Sequence, residues 1–137
     1  MDRKKIKNHL IISILILSVG FSQRLSEVIE TYDYGNIKSI KYHKKTRDRI
    51  EKVKYEGYYE NGQKEKEGTY KDGKKDGLWT YWNENGQKKS EVTYKNGELD
   101  GLWTSWYENG QKKTEGTWKD GNLISVKGWN EDGSVKE

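Results

Sequence analysis

Residues 77–97 read GLWTYWNENGQKKSEVTYKNG, and this pattern recurs along the chain with a period of 24 residues. The Asn-Gly-Gln segment that begins at Asn61 begins again at Asn85 and at Asn109. Three aromatic series keep the same spacing: Tyr55, Trp79 and Trp103; Tyr58, Trp82 and Trp106; Tyr70, Tyr94 and Trp118. Repeats of this length are single supersecondary units that stack to bury a shared apolar face. The sequence therefore predicts a repeat protein.

Two series of dipeptides mark turns in every repeat. They are Asn61-Gly62, Asn85-Gly86 and Asn109-Gly110, and Asp72-Gly73, Asn96-Gly97 and Asp120-Gly121. Such dipeptides favour two-residue type I′ hairpin turns, which need positive φ at both central positions. Strands of roughly eight to ten residues remain between the turns, a length usual for strands. The simplest product is an all-β protein, a single antiparallel sheet built as a meander of stacked hairpins.

The strand register follows from these turns. Two-residue loops pair Trp79 with Val92, Tyr94 with Leu99, and Ser90 with Trp103. Paired residues share a face of the sheet. One face then collects the apolar residues Trp79, Tyr81, Val92, Tyr94, Leu99 and Trp103, and the other collects Leu78, Thr80, Trp82, Leu102, Thr104 and Trp106. Both turns assign the same face as apolar, which a wrong register would not do.

The pattern of 77–97 resembles the MORN repeat family, and most closely its variant form, whose members are often labelled antitoxins of the YwqK type. The similarity covers the chain from about Tyr55 to its end. The resemblance implies a solenoid of β-hairpins that acts in scaffolding, partner binding or membrane association. It does not imply an enzyme. The label makes toxin neutralisation an alternative function.

The N-terminus has the pattern of a secretory signal peptide. A basic segment precedes the apolar run LIISILILSV at 10–19, and the small residues Gly20 and Ser22 follow it. A membrane-spanning helix needs about 20 apolar residues, so this run favours a signal peptide. We predict cleavage after Ser22 and export to the periplasm, the cell surface or the medium of a bacterium. The alternative is an uncleaved anchor.

The chain thus divides into a signal peptide at 1–22, a divergent segment or cap at 23–54, and repeats at 55–137. Of its 26 basic and 22 acidic residues, four basic and one acidic lie in the signal peptide. The remainder is nearly neutral, which argues against nucleic-acid binding. A basic stretch includes Lys41, Lys44, Lys45, Arg47 and Arg49. It indicates contact with anionic lipid head groups or another acidic polymer, or else a solvated cap or edge strand.

No catalytic, metal or cofactor site is predicted. The chain has no cysteine, and His43 is the one histidine after the signal peptide. Zinc sites and Cys-His nucleophiles therefore lack their residues. The carboxylates mostly repeat one position beside each turn, as at Glu60, Glu84 and Glu108, whereas a glycosidase needs an unlike pair in one cleft. We expect a protein that is not an enzyme.

Aromatic rows supply the candidate binding residues. Tyr58, Trp82 and Trp106 lie on the more polar face, where rings could stack on sugars or on partner side chains; alternatively they cover a thin sheet. The apolar face, with Trp79, Tyr81, Tyr94 and Trp103, is expected to be covered by 23–55, by a second copy, or by a partner. The predicted function is an exported module that binds a protein or an envelope component, with glycan binding as an alternative.

Overall fold

The structure, a computed structural model, describes residues 9–18 and 21–136, with side chains described for 25–136. In this part of the chain ten strands form one antiparallel sheet in sequence order, with no helix. The strands are β1 (His9–Ser18), β2 (Phe21–Thr31), β3 (Ile37–Lys45), β4 (Ile50–Tyr58), β5 (Lys64–Lys71), β6 (Lys74–Trp82), β7 (Lys88–Lys95), β8 (Glu98–Trp106), β9 (Lys112–Lys119) and β10 (Asn122–Gly128). The predicted all-β meander is confirmed.

The two turn series differ in conformation. Asp72, Asn96 and Asp120 have φ of 50, 52 and 47°, and each is followed by a glycine with positive φ. These are the predicted two-residue turns. The other series does not form the predicted two-residue turns, because only its glycines have positive φ. Its members are Asn61-Gly62, Asn85-Gly86 and Asn109-Gly110.

The 83–87 loop shows what replaces the expected turn. The amide of Gly86 donates to the Asn83 carbonyl, and the amide of Asn83 donates to the Gln87 carbonyl, both at 2.9 Å. This is a three-residue loop that ends in a left-handed glycine. The Asn85 side chain stabilises it, since its Oδ1 accepts the Gln87 amide at 2.9 Å.

The register is confirmed in part. Trp79 pairs with Val92, and Tyr94 pairs with Leu99. Ser90 pairs with Ser105 rather than with Trp103, because residues 100–102 of β8 lie opposite the single residue 93 of β7. The insertion shifts the β7–β8 register by two residues, so the paired residues on either side of it keep their predicted faces. Beside the Asn85-Gly86 turn the register shifts by one residue, and Trp82 pairs with Lys88.

The 23–54 segment extends the sheet through most of β2, β3 and most of β4. Its turn has the bonding of the other loops: the Tyr32 amide donates to Asn36, and the Gly35 amide donates to Tyr32, at 2.8 and 3.0 Å. This segment is therefore a divergent repeat that lies beside the others. It lies in the plane of the sheet, so of the three expected covers of the apolar face this one is excluded.

The predicted signal peptide is described only in part. His9–Ser18 forms β1, which pairs with β2, while 1–8 and 19–20 lie outside the described residues. Among the described residues, no helix is long and apolar enough to cross a membrane. Cleavage after Ser22 stays a prediction, and it would leave β2 as the first strand.

The densest packing lies around Trp79, whose side chain is 2% exposed. Its ring lies 5.2 Å from that of Tyr70, measured between centroids, and 6.4 Å from that of Tyr55. Its Nε1 donates to the Thr69 carbonyl at 3.1 Å. Gly68 lies directly under the ring. A thin sheet thus buries its central tryptophan with rings from neighbouring strands of the same face.

Side chains also join successive three-residue turns along one edge of the sheet. The hydroxyl of Tyr59 donates to the Trp82 carbonyl and the amide of Asn61 donates to the Glu84 carbonyl, both at 2.8 Å. Equivalent bonds run from Tyr32 to Tyr58, Asn36 to Glu60, Tyr107 to Trp129, and Asn109 to Glu131. Asn83 replaces the tyrosine in the 83–87 turn, and the Asn85 amide donates to Gln87 instead. Among the described turns, the pair 83–87 and 107–111 is the one joined by neither the tyrosine nor the asparagine hydrogen bond.

Candidate binding faces

The structure places the three aromatic residues of the predicted ligand row at equivalent positions, and their binding role stays a prediction. Tyr58, Trp82 and Trp106 are the last residues of β4, β6 and β8, and each is half-buried. They occupy equivalent register positions opposite Lys64, Lys88 and Lys112. Equivalent positions two strands apart are separated by roughly 10 Å. The polar face therefore carries evenly spaced rings beside its Asn-Gly turns, and Trp129 continues the series.

Each tryptophan of this row has a lysine over its ring, in what we call a lysine clamp. The Nζ of Lys64 lies 5.7 Å from the Trp82 ring centroid and 2.7 Å from a Glu67 oxygen. The other clamps are Lys88 with Trp106 (5.8 Å) and Glu91 (2.6 Å), and Lys112 with Trp129 (5.2 Å) and Glu115 (2.6 Å). An exposed cation–ring contact contributes about 0.5–1 kcal/mol. The clamps hold the rings in place and leave them half-exposed.

The first repeat departs from this arrangement. Thr31 pairs with Ile37 in the way that Tyr58 pairs with Lys64, so Ile37 stands where a clamp lysine would. Its side chain is 41% exposed. An open cavity of about 300 Å³ lies here, lined by Asn36, Ile37, Tyr58, Asn61 and Gly62. Tyr58 therefore borders this open cavity.

A buried carboxylate fixes the other side of Tyr58. Glu56 is 7% exposed and accepts hydrogen bonds from Lys54 Nζ (2.7 Å), the Tyr58 hydroxyl (2.7 Å) and the Tyr42 hydroxyl (3.2 Å). Burial, followed by the charge of Glu56, raises the pKa of Tyr42 to about 12 and moves that of Tyr58 in the same direction. Both hydroxyls stay protonated and keep the Tyr58 ring at the cavity wall.

Glu56 gives a prediction for pH. Burial alone would raise its pKa, but the hydrogen bonds from Lys54 and Tyr58 outweigh burial and hold the pKa below 4.5. Its carboxylate therefore stabilises the fold at neutral pH, and this contribution is lost as the pH falls below 4.5. We expect Glu56→Gln to be less stable than wild type at pH 7 and the difference to shrink in acid. Urea unfolding at several pH values measures this. Glu60→Gln, in an exposed turn, is the control, and a pH-independent difference for Glu56→Gln would contradict the assignment.

The apolar face is confirmed, with one addition that the sequence did not indicate. Trp79, Tyr81 and Tyr94 surround the Nζ of Lys75, which lies 4.1 Å from the Trp79 centroid and donates to the Tyr81 hydroxyl at 2.8 Å. Lys75 covers part of the face that we had expected to need a partner. Trp103 remains half-buried one repeat further on.

The basic stretch is largely used within the sheet. Lys41 pairs with Glu30 at 2.7 Å, and Arg49 pairs with Asp72 at 2.7 Å and with Glu51. Lys45 and Arg47 are exposed at the β3–β4 turn, and Lys44 lies beside them at the end of β3. The predicted anion-binding surface thus reduces to this turn.

The repeats match the model of the MORN repeat variant at 53–72, 75–96 and 99–120. These matches coincide with the β4–β5, β6–β7 and β8–β9 hairpins. Residues 53–120 therefore carry three consecutive repeats of the MORN variant type. None of the curated proteins compared with the chain matches it. Within the described residues, no group of histidine, cysteine, aspartate and glutamate side chains could hold a metal ion.

Proposed function

We propose that this protein is an exported, non-catalytic repeat module that binds a protein or another component of the cell envelope. The observation that supports this most is the row of half-exposed rings at Tyr58, Trp82 and Trp106, repeated at a constant interval along one face. A repeated row offers many equivalent contacts to an extended partner. Catalysis would require a single cleft with unlike groups.

The lysine clamps favour a polypeptide over a glycan on this row. A sugar that stacked on Trp82 would compete with Lys64 for the ring, since the lysine Nζ lies 5.7 Å from its centroid. A polypeptide can pack against the Trp82 ring and the methylene stem of Lys64 at the same time. Glycan binding on Trp82 and Trp106 is the second candidate, and toxin neutralisation, which rests on the family label, is the third.

Substitution of the row tests the proposal. We expect the full chain with Trp82→Ala and Trp106→Ala to keep its fold but to bind envelope extract about tenfold more weakly, because two half-buried anchor rings of the binding face are lost. The matched control is Lys89→Ala with Lys113→Ala, which removes two exposed side chains from neighbouring positions. Unchanged capture by the double tryptophan variant, with its fold intact, would remove the row from the binding surface.

Export has its own test. We expect mass spectrometry of envelope fractions to show a chain that begins at Gln23, because the basic segment, short apolar run and small residues match a signal peptide. An Ile14→Arg variant, which interrupts the apolar run, should accumulate inside the cell. A mature chain that keeps residues 10–19 would instead mean an anchored protein.

A further inference from the structure

The cavity beside Tyr58 exists because one lysine clamp is missing. Three later repeats place a lysine at this register position, and its Nζ lies between 5.2 and 5.8 Å from a tryptophan ring. Ile37 is shorter and uncharged, so it leaves Tyr58 beside an open space of about 300 Å³. The repeat itself therefore shows what fits here, namely the stem and head of a basic side chain.

The walls of the cavity suit such a side chain. The Tyr58 ring and Ile37 supply apolar surface for a methylene stem, and a cation over an aromatic ring is attracted to it more strongly the further it is desolvated. The Tyr58 hydroxyl donates to Glu56 at 2.7 Å, so the ring is already oriented before anything binds. A preformed wall lowers the entropic cost of binding.

The turns beside the cavity carry more carboxylates than cations. The three-residue turns at 32–36, 59–63, 83–87, 107–111 and 130–134 contain no lysine or arginine. Their carboxylates are all exposed: Asp33, Glu60, Glu84, Glu108, Glu131 and Asp132. The clamp lysines nearest to them are already paired, as Lys64 is with Glu67 at 2.7 Å. The other lysines near these turns are Lys38, which follows Ile37 and lies 5.4 Å from the Tyr32 ring centroid, and Lys113 and Lys136, which lie over the Tyr107 ring. The cavity thus lies at one end of an acidic edge.

The spacing of this edge matches an extended chain. Adjacent turns lie two strands apart, which is about 10 Å, and three residues of an extended polypeptide span about the same distance. A chain with recurring basic residues could therefore face successive turns. Anionic lipid would be repelled by this edge, and a neutral sugar would not use its charge.

We propose that the cavity between the 32–36 and 59–63 turns receives a lysine or arginine side chain of a basic polypeptide, whose remaining cations lie along the acidic edge. The partner thus supplies in trans the clamp that Ile37 omits. This inference rests on the proposed function and names the partner class.

Binding of fluorescein-labelled hexalysine to the full chain, followed by anisotropy at low and physiological salt, tests the proposal. Ile37→Lys restores the clamp in cis and should weaken binding about tenfold, equivalent to the loss of one cation–ring contact of about 1.4 kcal/mol. Tyr34→Lys is the matched control, because it adds the same charge to the adjacent turn at a residue that is 93% exposed. Tyr34→Lys should weaken hexalysine binding less than Ile37→Lys does. Ile37→Phe fills the cavity without charge and should weaken binding as Ile37→Lys does.

Several results would overturn the proposal. One is that the wild-type chain does not bind hexalysine. Another is that Ile37→Lys and Tyr34→Lys weaken binding equally while Ile37→Phe binds normally. A third is that the chain binds a chito-oligosaccharide in place of hexalysine. Urea unfolding of each variant separates lost binding from lost fold. If hexalysine does not bind while the Trp82 and Trp106 substitutions still reduce capture of envelope extract, the inference of a basic partner is wrong and the proposed function stands.

Discussion

Replacing Trp79 by alanine is expected to lower the free energy of unfolding by about 3–5 kcal/mol, the range seen for large aromatic residues removed from protein cores. Trp79 is 2% exposed and packs against rings from three neighbouring strands, so a large cavity would open where the sheet has its densest packing. Since small domains have only about 5–15 kcal/mol of stability in total, the variant should be close to unfolding at room temperature.

Trp103→Ala is the matched control, because Trp103 occupies the same register position one repeat later and is only half-buried. Urea unfolding followed by circular dichroism should show a smaller loss for Trp103→Ala. Equal losses at the two positions would mean that packing is shared evenly among repeats and that Trp79 has no special place in the core.

Gly68→Ala should give the second largest loss. An added Cβ would lie 2.3 Å from Cδ2 of the Trp79 ring, a distance at which the buried ring has to move. Overpacking of this kind costs about 1–3 kcal/mol. At Gly116, the equivalent position two hairpins later, the nearest atom of Trp103 would be 3.3 Å from the new Cβ, so Gly116→Ala should cost less.

A double-mutant cycle checks the cause of the Gly68 effect. In a Trp79→Ala background the ring is absent, so Gly68→Ala should become nearly neutral in urea unfolding. Residues in direct contact show such coupling, whereas independent sites add. Full additivity of the two losses would show that Gly68 is required for backbone reasons instead.

Most of the fold could be read from the 24-residue period, because paired positions such as Trp79 and Val92 follow from turn placement alone. What could not be read was the conformation of Asn85-Gly86. Asn-Gly suits both a two-residue and a three-residue loop, and the hydrogen bond from the Gln87 amide to Asn85 decides between them. The inserted residues 100–102 of β8 were missed because paired residues follow on both sides of them, so the position of the turns does not reveal the insertion.

The candidate site was predicted less completely. The aromatic row was visible because tryptophan is rare and regularly spaced, whereas the lysines that follow each turn looked like solvated charges. Their signal was present in the sequence, as lysine, glutamate and tryptophan share the same period at Lys88, Glu91 and Trp106. Ile37 was missed because Gly35 and Gly62 are 27 residues apart, which hides the first repeat from a search for a period of 24.

The joint without turn-to-turn bonds has a mechanical consequence. Tyrosine and asparagine side chains tie each of the other described turns to the next, but none from the 83–87 turn reaches the 107–111 turn. The β7–β8 strands still pair from Ser90 with Ser105 to Lys95 with Glu98, interrupted by the inserted residues of β8, so a bending load would open the turn edge at this joint before it separates these strands. The ribbon therefore has a built-in flexure after the 83–87 turn, about which the two halves could adjust their curvature to a long partner.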